Sequence, residues 1–320
     1  MQALNHIAIA KEINNAAISD YSMIRRACVA GQFYAGQKEE LIEQIKGCFC
    51  SEYGPEEDLE LIRAAERESG KSEKKKHIEA LIVPHAGYAF SGPCAAHAYA
   101  KLAKAKTPKT IILIGPSHHG HESCLSAAAW ETPLGIVEIP AQDVAMLSKE
   151  LMIAIDEDAH MDEHSLEVQM PFLQYIYSGN QELAMPKIIP LLVGIDGIST
   201  ETIKNMMRLC GPWTTLIISS DFSHIGPAYG YEPFEGEQDA VRIQKMKDLD
   251  IGIIYKIMQK DVLGLKEELF HTRATICGIT PIIAVLPALK GTGKLLRYYN
   301  SGDIIDDYTN AVGYGAIIFE

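Results

Sequence analysis

A neutral histidine ring offers a lone pair to a metal ion and exchanges a proton near neutral pH, and this sequence gathers its histidines just after apolar runs. LIGPSHHGHE, Leu113 to Glu122, carries His118, His119 and His121 within four positions. PHAGYAFSG places His85 after a second apolar run, and SSDFSHIG places Asp221 and His224 after a third. Two imidazoles with one anionic donor and open positions form the set that non-haem iron uses to engage oxygen and substrate together. The imidazoles are present. The candidates for the anionic donor are Asp221, Glu163 and a thiolate, of which Cys277 in RATICGITP stands out because it lies among small and turn-forming residues.

DEHSLEVQMPFLQY, Asp162 to Tyr175, is the other dense polar cluster. Its acids precede the apolar pattern Leu166, Met170, Leu173, as at a helix N-terminus where negative charge is favoured. Capping does not explain His164. A positive ring is disfavoured at that end, so the imidazole is expected neutral and suited to proton transfer. Pro171 must sit in the first turns or kink the helix. In SSDFSH the spacing of Asp221 and His224 lets the carboxylate hold one ring nitrogen and fix the tautomer of the other. Serine hydrolase chemistry has little support, since no GxSxG elbow presents Ser220 or Ser223 as a nucleophile. The glycine-rich pieces match neither the dinucleotide fingerprint nor the P-loop.

The elements that must position these groups repeat one theme, a short continuous apolar run, a turn rich in Gly, Pro, Ser and His, then a helical segment. IEALIV, TIILI and TLIIS are such runs, and KIIPLLVG, Lys187 to Gly194, is a fourth. Runs without alternation fit strands covered on both faces, which predicts an α/β fold around a mostly parallel or mixed sheet flanked by helices. Ligands in such sheets bind beyond the carboxyl ends of the strands. His85, His118 with His119, and Asp221 with His224 all fall at that edge. Late strands are expected at Leu295–Asn300 and Gly313–Phe319. Helices are expected at Gln37–Ser51, Glu56–Ser69, Ser91–Ala105, Gln142–Leu151, Leu166–Tyr177, Thr200–Leu209, Glu237–Met258 and Ile282–Leu289. GKSEKKKH, Gly70 to His77, reads as a solvated connection. Residues 1–24 form a weakly patterned extension, and 25–320 read as one domain.

With 42 acidic against 29 basic residues and a net charge of −13, the 320-residue chain should repel phosphate backbones and anionic lipid, so neither nucleic acid nor membrane is an expected partner. Seven cysteines without a CxxC pair argue against a disulfide framework and for a reducing cytoplasm. The N-terminus shows no secretory signal, and no run approaches the ~18 apolar residues of a membrane span.

AGQFY, PHAGYAFSG, GPSHHG, DEHSLEVQMPFL, SSDFSH and TICGITP, in this order and at these separations, closely resemble the Memo family, whose prokaryotic and archaeal members are called AmmeMemoRadiSam system protein B. The resemblance runs from about Arg25 to the C-terminus. It implies a fold similar to the class III extradiol dioxygenases, with the pocket at one sheet edge. It further implies metal ligands at His85, His118 and Cys277, with Asp221 and His224 lining the same pocket. Extradiol enzymes complete their two histidines with a carboxylate, whereas this pattern offers a thiolate, which is softer and favours copper or a redox-altered iron. Ser223 stands where a cysteine is expected in animal relatives.

Two functions follow as expectations. In the first, iron(II) or copper makes the protein an oxidoreductase acting on a small molecule or peptide, with His224, Asp221 and His164 as the groups that move protons. In the second, the same pocket serves a non-catalytic peptide-binding or metal-carrying adaptor. The family name alone suggests radical-SAM and AMMECR-type proteins as partners.

Overall fold

ALIV, TIILIGP and TTLIIS are buried at every position, and KIIPLLV at every position after its lysine. Strands of that kind need cover on both faces. The computed structural model, which describes residues 23–61, 75–178 and 184–320, provides it with helices on a mixed sheet. The chain opens with β1 (Ile24–Arg25), α1 (Lys38–Cys50), β2 (Ala80–Val83), α2 (Tyr88–Lys104) and β3 (Thr110–Pro116). Next come β4 (Cys124–Leu125), β5 (Ala129–Thr132), β6 (Gly135–Val137), α3 (Ala141–Leu151), β7 (Ala154–Ile155) and α4 (Glu157–Met161). A 3-10 turn, Glu167–Gln169, leads into α5 (Met170–Ser178), β8 (Lys187–Val193), α6 (Thr200–Cys210), β9 (Thr214–Ser219) and β10 (His224–Ile225). The described order ends with α7 (Asp239–Met258), α8 (Val262–Thr272), α9 (Ile279–Val285), β11 (Gly293–Asn300), α10 (Gly302–Ile305) and β12 (Ala311–Phe319).

Nine strands form the main sheet in the order β10-β12-β2-β9-β3-β8-β4-β7, with β11 also paired to β12. Its centre, β2-β9-β3-β8, is parallel, and the antiparallel pairs lie toward the two sides. A second sheet of β1, β5 and β6 carries the start of the described chain. One contiguous apolar core runs from Tyr34 to Phe319. Among the described residues no helix is long and apolar enough to cross a membrane.

Most of the expected helices fall within a few residues of those observed. The one expected at Leu166–Tyr177 starts differently. Pro171 has no N–H for the Glu167 carbonyl, which accepts from Met170 N–H instead, so the first turn tightens to 3-10 before α5 begins. The helix expected at Ile282–Leu289 starts earlier, at Ile279, because Pro281 is tolerated in a first turn. It then tightens to 3-10 at Leu286–Ala288, where Pro287 stands. α8 was not expected, because Leu263 and Phe270 are exposed and blur its apolar face. The expectations for residues 1–22, for most of Glu56–Ser69 and for Gly70 to Lys74 lie outside the described residues.

Candidate metal centre

β2, β9 and β3 are adjacent and parallel, so the loops leaving their carboxyl ends are delivered to one edge. His85 comes just after β2, Asp221 and His224 after β9, and His118 after β3. His164 comes from elsewhere, the irregular turn between α4 and the 3-10 turn. That turn lies directly on β3: a Cβ at Gly115 would stand 2.7 Å from Ser165 Oγ, which donates to the Pro116 carbonyl at 2.9 Å. Only glycine allows this approach, and the approach brings His164 to the other two rings.

One ligand nitrogen from each of His85, His118 and His164 lies within 4.8 Å of the others, and the three could hold a metal ion. Two nitrogens on one ion at ~2.1 Å are at most about 4.2 Å apart, so modest side-chain rotation brings them together. The ring centroids are 5.2 Å apart for His85 and His118, 5.4 Å for His85 and His164, and 4.5 Å for the stacked His118 and His164.

The outer nitrogens fix the tautomers. His118 Nδ1 lies 2.9 Å from Glu163 Oε1, and a carboxylate can only accept, so Nδ1 carries the proton and Nε2 the lone pair. His85 Nδ1 lies 3.0 Å from Ser219 Oγ. That hydroxyl already donates to the Ser165 carbonyl at 2.6 Å and accepts from Gln169 Nε2 at 2.8 Å, so it accepts from His85 as well. His85 therefore also keeps its lone pair on Nε2. Burial, then the neighbouring His118, lowers the His85 pKa to about 3. Burial, then His85 and His118, lowers that of His164 to about 4. Both rings are neutral at pH 7, the form a metal requires.

A family model described as Memo-like protein matches residues 25–318. The chain belongs to the Memo-like family. A MEMO1 family protein of Methanopyrus kandleri is 36% identical over 310 residues, covering 93% of this chain and 99% of its own length. One of Methanosarcina barkeri is 35% identical over 308 residues, covering 93% and 100%. An uncharacterized protein of Escherichia coli K12 superposes with a TM-score of 0.43 at 12% identity, over 76% of this chain and 100% of that one.

In this Memo-like chain Cys277, the residue before the N-cap of α9, lies outside the three-histidine group but touches it. Its Sγ is 3.1 Å from His85 Nε2, and it accepts from the Asp221 N–H at 3.2 Å. Burial and the Asp221 charge push its thiol pKa up, so without a metal it is protonated and donates to His85. Glu163, a candidate anionic donor on sequence grounds, is turned behind the rings. Its oxygens accept from His118 Nδ1, from the His118 N–H at 2.7 Å and from the Ser165 N–H at 2.9 Å. Burial opposes its charge, but these bonds outweigh it and hold the carboxyl well below the usual range.

The expected Asp221–His224 ring contact is not formed. Asp221 is buried and its Oδ1 accepts from the His85 N–H at 2.8 Å, where a backbone donor compensates its desolvation. The His224 Nδ1 donates instead to the Thr275 carbonyl at 3.0 Å, which still leaves Nε2 as the acceptor. His164 has the lowered pKa expected of it, but burial is the cause, and it stands with the two other rings. His119 is exposed with Nε2 on the Asp162 carbonyl, and His121 lies off the pocket. Ser220 and Ser223 are buried and bonded to Asp221 O and Asp250, so neither is a free nucleophile.

A cavity of about 450 Å³ opens over the site, lined by His85, His118, His164, Asp221 and His224. Phe33, Phe90, Tyr229 and Tyr314 form its apolar walls, and Ser301 and Asn310 add polar groups. Phe33 packs on His164 with ring centroids 4.8 Å apart. The sequence reading missed these walls and the supports Ser219 and Gln169. The only signal for Gln169 was a polar residue in a segment otherwise read as an apolar helix.

Proposed function

We propose that this Memo-like protein is a metal-dependent oxidoreductase of the reducing cytoplasm, holding iron(II) or copper in the carboxyl-edge pocket and acting on a small molecule or peptide. The observation that carries the reading is the convergence of three imidazoles, two with their outer nitrogens held by partners behind them. His85, His118 and His164 hold the ion, and Cys277, 3.1 Å from His85 Nε2, is a further donor once its proton is lost. Such an ion supplies an exchangeable electron and Lewis acidity to a substrate in the cavity. His224, with Nδ1–H held by Thr275, presents Nε2 as the base that takes a substrate proton. Asp221 fixes the backbone of His85 at the edge of the pocket. The aromatic walls exclude water and receive an apolar substrate body. The free state of all seven cysteines supports the reducing compartment.

The test is anaerobic reconstitution of metal-free protein. Iron(II) or copper should bind at one equivalent, and His85→Ala should remove it. Oxygen uptake with a panel of phenolic and peptide substrates should then be abolished by His224→Ala while the metal stays bound. Metal retention without turnover across the panel would assign metal carriage or peptide binding instead, and no metal binding would end the reading.

A further inference from the structure

Arg25 is a charge buried away from the pocket, with 1% of its side chain exposed, and the proposed chemistry does not use it. All five of its N–H groups are engaged. Nε donates to the His160 carbonyl at 2.7 Å. Nη2 donates to the Glu163 carbonyl at 2.8 Å and to Cys28 Sγ at 3.2 Å. Nη1 donates to Glu167 Oε2 at 2.5 Å and to the Arg26 carbonyl at 3.1 Å. The guanidinium lies over the Trp130 ring, 4.1 Å from its centroid. Glu167 returns the grip, accepting from Cys28 N–H, Val29 N–H and Tyr34 Oη at 2.9, 3.0 and 2.6 Å.

A buried ion pair contributes little net stability over an apolar pair of the same volume. What the planar fork adds is direction, two carbonyls held at fixed angles. Those two carbonyls, His160 near the end of α4 and Glu163 just past it, fix the first half of the irregular turn that leads to the 3-10 turn. The Glu163 side chain in that turn fixes His118 Nδ1, and the next residue is His164. Past His164 the turn is tied down by Ser165, to the Pro116 carbonyl and Ser219 Oγ, but at its start the Glu163 N–H reaches the His160 carbonyl only at 3.4 Å, so the Arg25 fork is the firmer hold there. A shift of the Glu163 backbone would break a 2.9 Å bond to the His118 ring.

We propose that Arg25 is a positioning residue of the site: by holding the Glu163 carbonyl it aims the carboxylate that fixes the tautomer of His118. The consequence for metal affinity rests on the metal-dependent reading of the pocket; the consequence for the tautomer does not. The test is Arg25→Lys, which keeps the charge on Glu167 and loses the fork. In metal-free protein, ¹⁵N spectra of the imidazoles should show His118 wholly as the Nδ1–H tautomer in the wild type and as a mixture in R25K. Cobalt(II), used as the probe ion, should bind R25K about 10- to 100-fold more weakly, with a changed visible band. Leu147→Ala, a core truncation in α3, serves as a control for general destabilisation and should move neither readout. If R25K fails to fold, the Arg25→Met, Glu167→Gln double variant removes both charges and should show the same mixed tautomer. A wild-type tautomer in the folded variant would overturn the proposal. Loosening of His118 in a protein whose wild type binds no cobalt would uphold the positioning role and overturn the metal reading alone.

Discussion

His85 and His118 face each other at right angles across the pocket, yet they are held by opposite chemistry. Behind the His85 ring the partners are neutral: the Ser219 hydroxyl, the Gln169 amide and, through Gln169 Oε1, the Tyr99 hydroxyl. Behind His118 stands the Glu163 carboxylate, with the Arg25 and Glu167 charges one step further back. The difference follows solvent. His85 is 2% exposed, and a carboxylate on its ring would add a second desolvated charge with few donors to compensate it. The His118 side chain is 30% exposed, and two backbone N–H groups, its own and that of Ser165 in the turn, offset the cost of the anion. A carboxylate partner also makes an imidazole more basic, so the two ligands of one ion would differ in donor strength.

Acid should break this arrangement with the largest effect. The folded pKa values of His85 and His164 lie near 3 and 4, against 6.5 for the free side chain, and that of the buried His160 lies near 4 for the same reason, burial. Between pH 6.5 and 4 the unfolded chain therefore binds more protons than the folded one, and stability falls as pH falls. Glu163 and Glu167, held below the ordinary carboxylate value of 4.5, add a loss of the same sign below that pH. The metal-free protein should lose on the order of several kcal/mol across this range, read as a falling urea midpoint. His85→Gln should flatten the upper part of that slope. Midpoints that stay level from pH 6.5 to 5 would show that the rings protonate without unfolding and that the neutral backing of His85 has no energetic role.

The two backings can then be compared directly. Glu163→Gln keeps the shape but lets the amide donate as well as accept, so the His118 tautomer is no longer forced. Metal affinity should drop about 10- to 100-fold. Ser219→Ala removes a neutral acceptor from His85 Nδ1, while Nε2 is still bounded by Cys277, and should cost about tenfold or less. Calorimetric titration with cobalt(II) measures both. An equal or larger loss in the serine variant would reverse the ranking of the two partners.

The part of this site that the sequence made legible is the part built by strand ends. His85, His118, Asp221 and His224 come after apolar runs that could only be covered parallel strands, and parallel strands share one carboxyl edge. His164 was legible as a reactive ring but not as a neighbour of the other two. Its place depends on a turn lying against Gly115, a contact between segments far apart in the chain. Arg25 and Glu167 were not legible at all, because a charged residue at the start of an element looks the same whether it meets water or a buried partner. The Asp221–His224 contact failed for a related reason. Spacing allowed it, but burial of the carboxylate gave its oxygen to a backbone N–H first.

The smallest expected effect separates adjacent residues. His119 is next to His118 in the chain, but its ring is exposed and its Nε2 meets the Asp162 carbonyl at 3.1 Å, outside the three-nitrogen group. That bond is solvent-exposed, worth about 1 kcal/mol at most, and it joins the edge of the turn at Asp162 instead of Glu163 itself. His119→Ala should therefore change cobalt affinity by less than about twofold, whereas His118→Ala removes one of the three candidate ligands and with it the ring whose Nδ1 meets Glu163 at 2.9 Å. A tenfold loss in the His119 variant would mean that the Asp162 end of the turn, and not the Arg25 fork alone, holds the carboxylate in place.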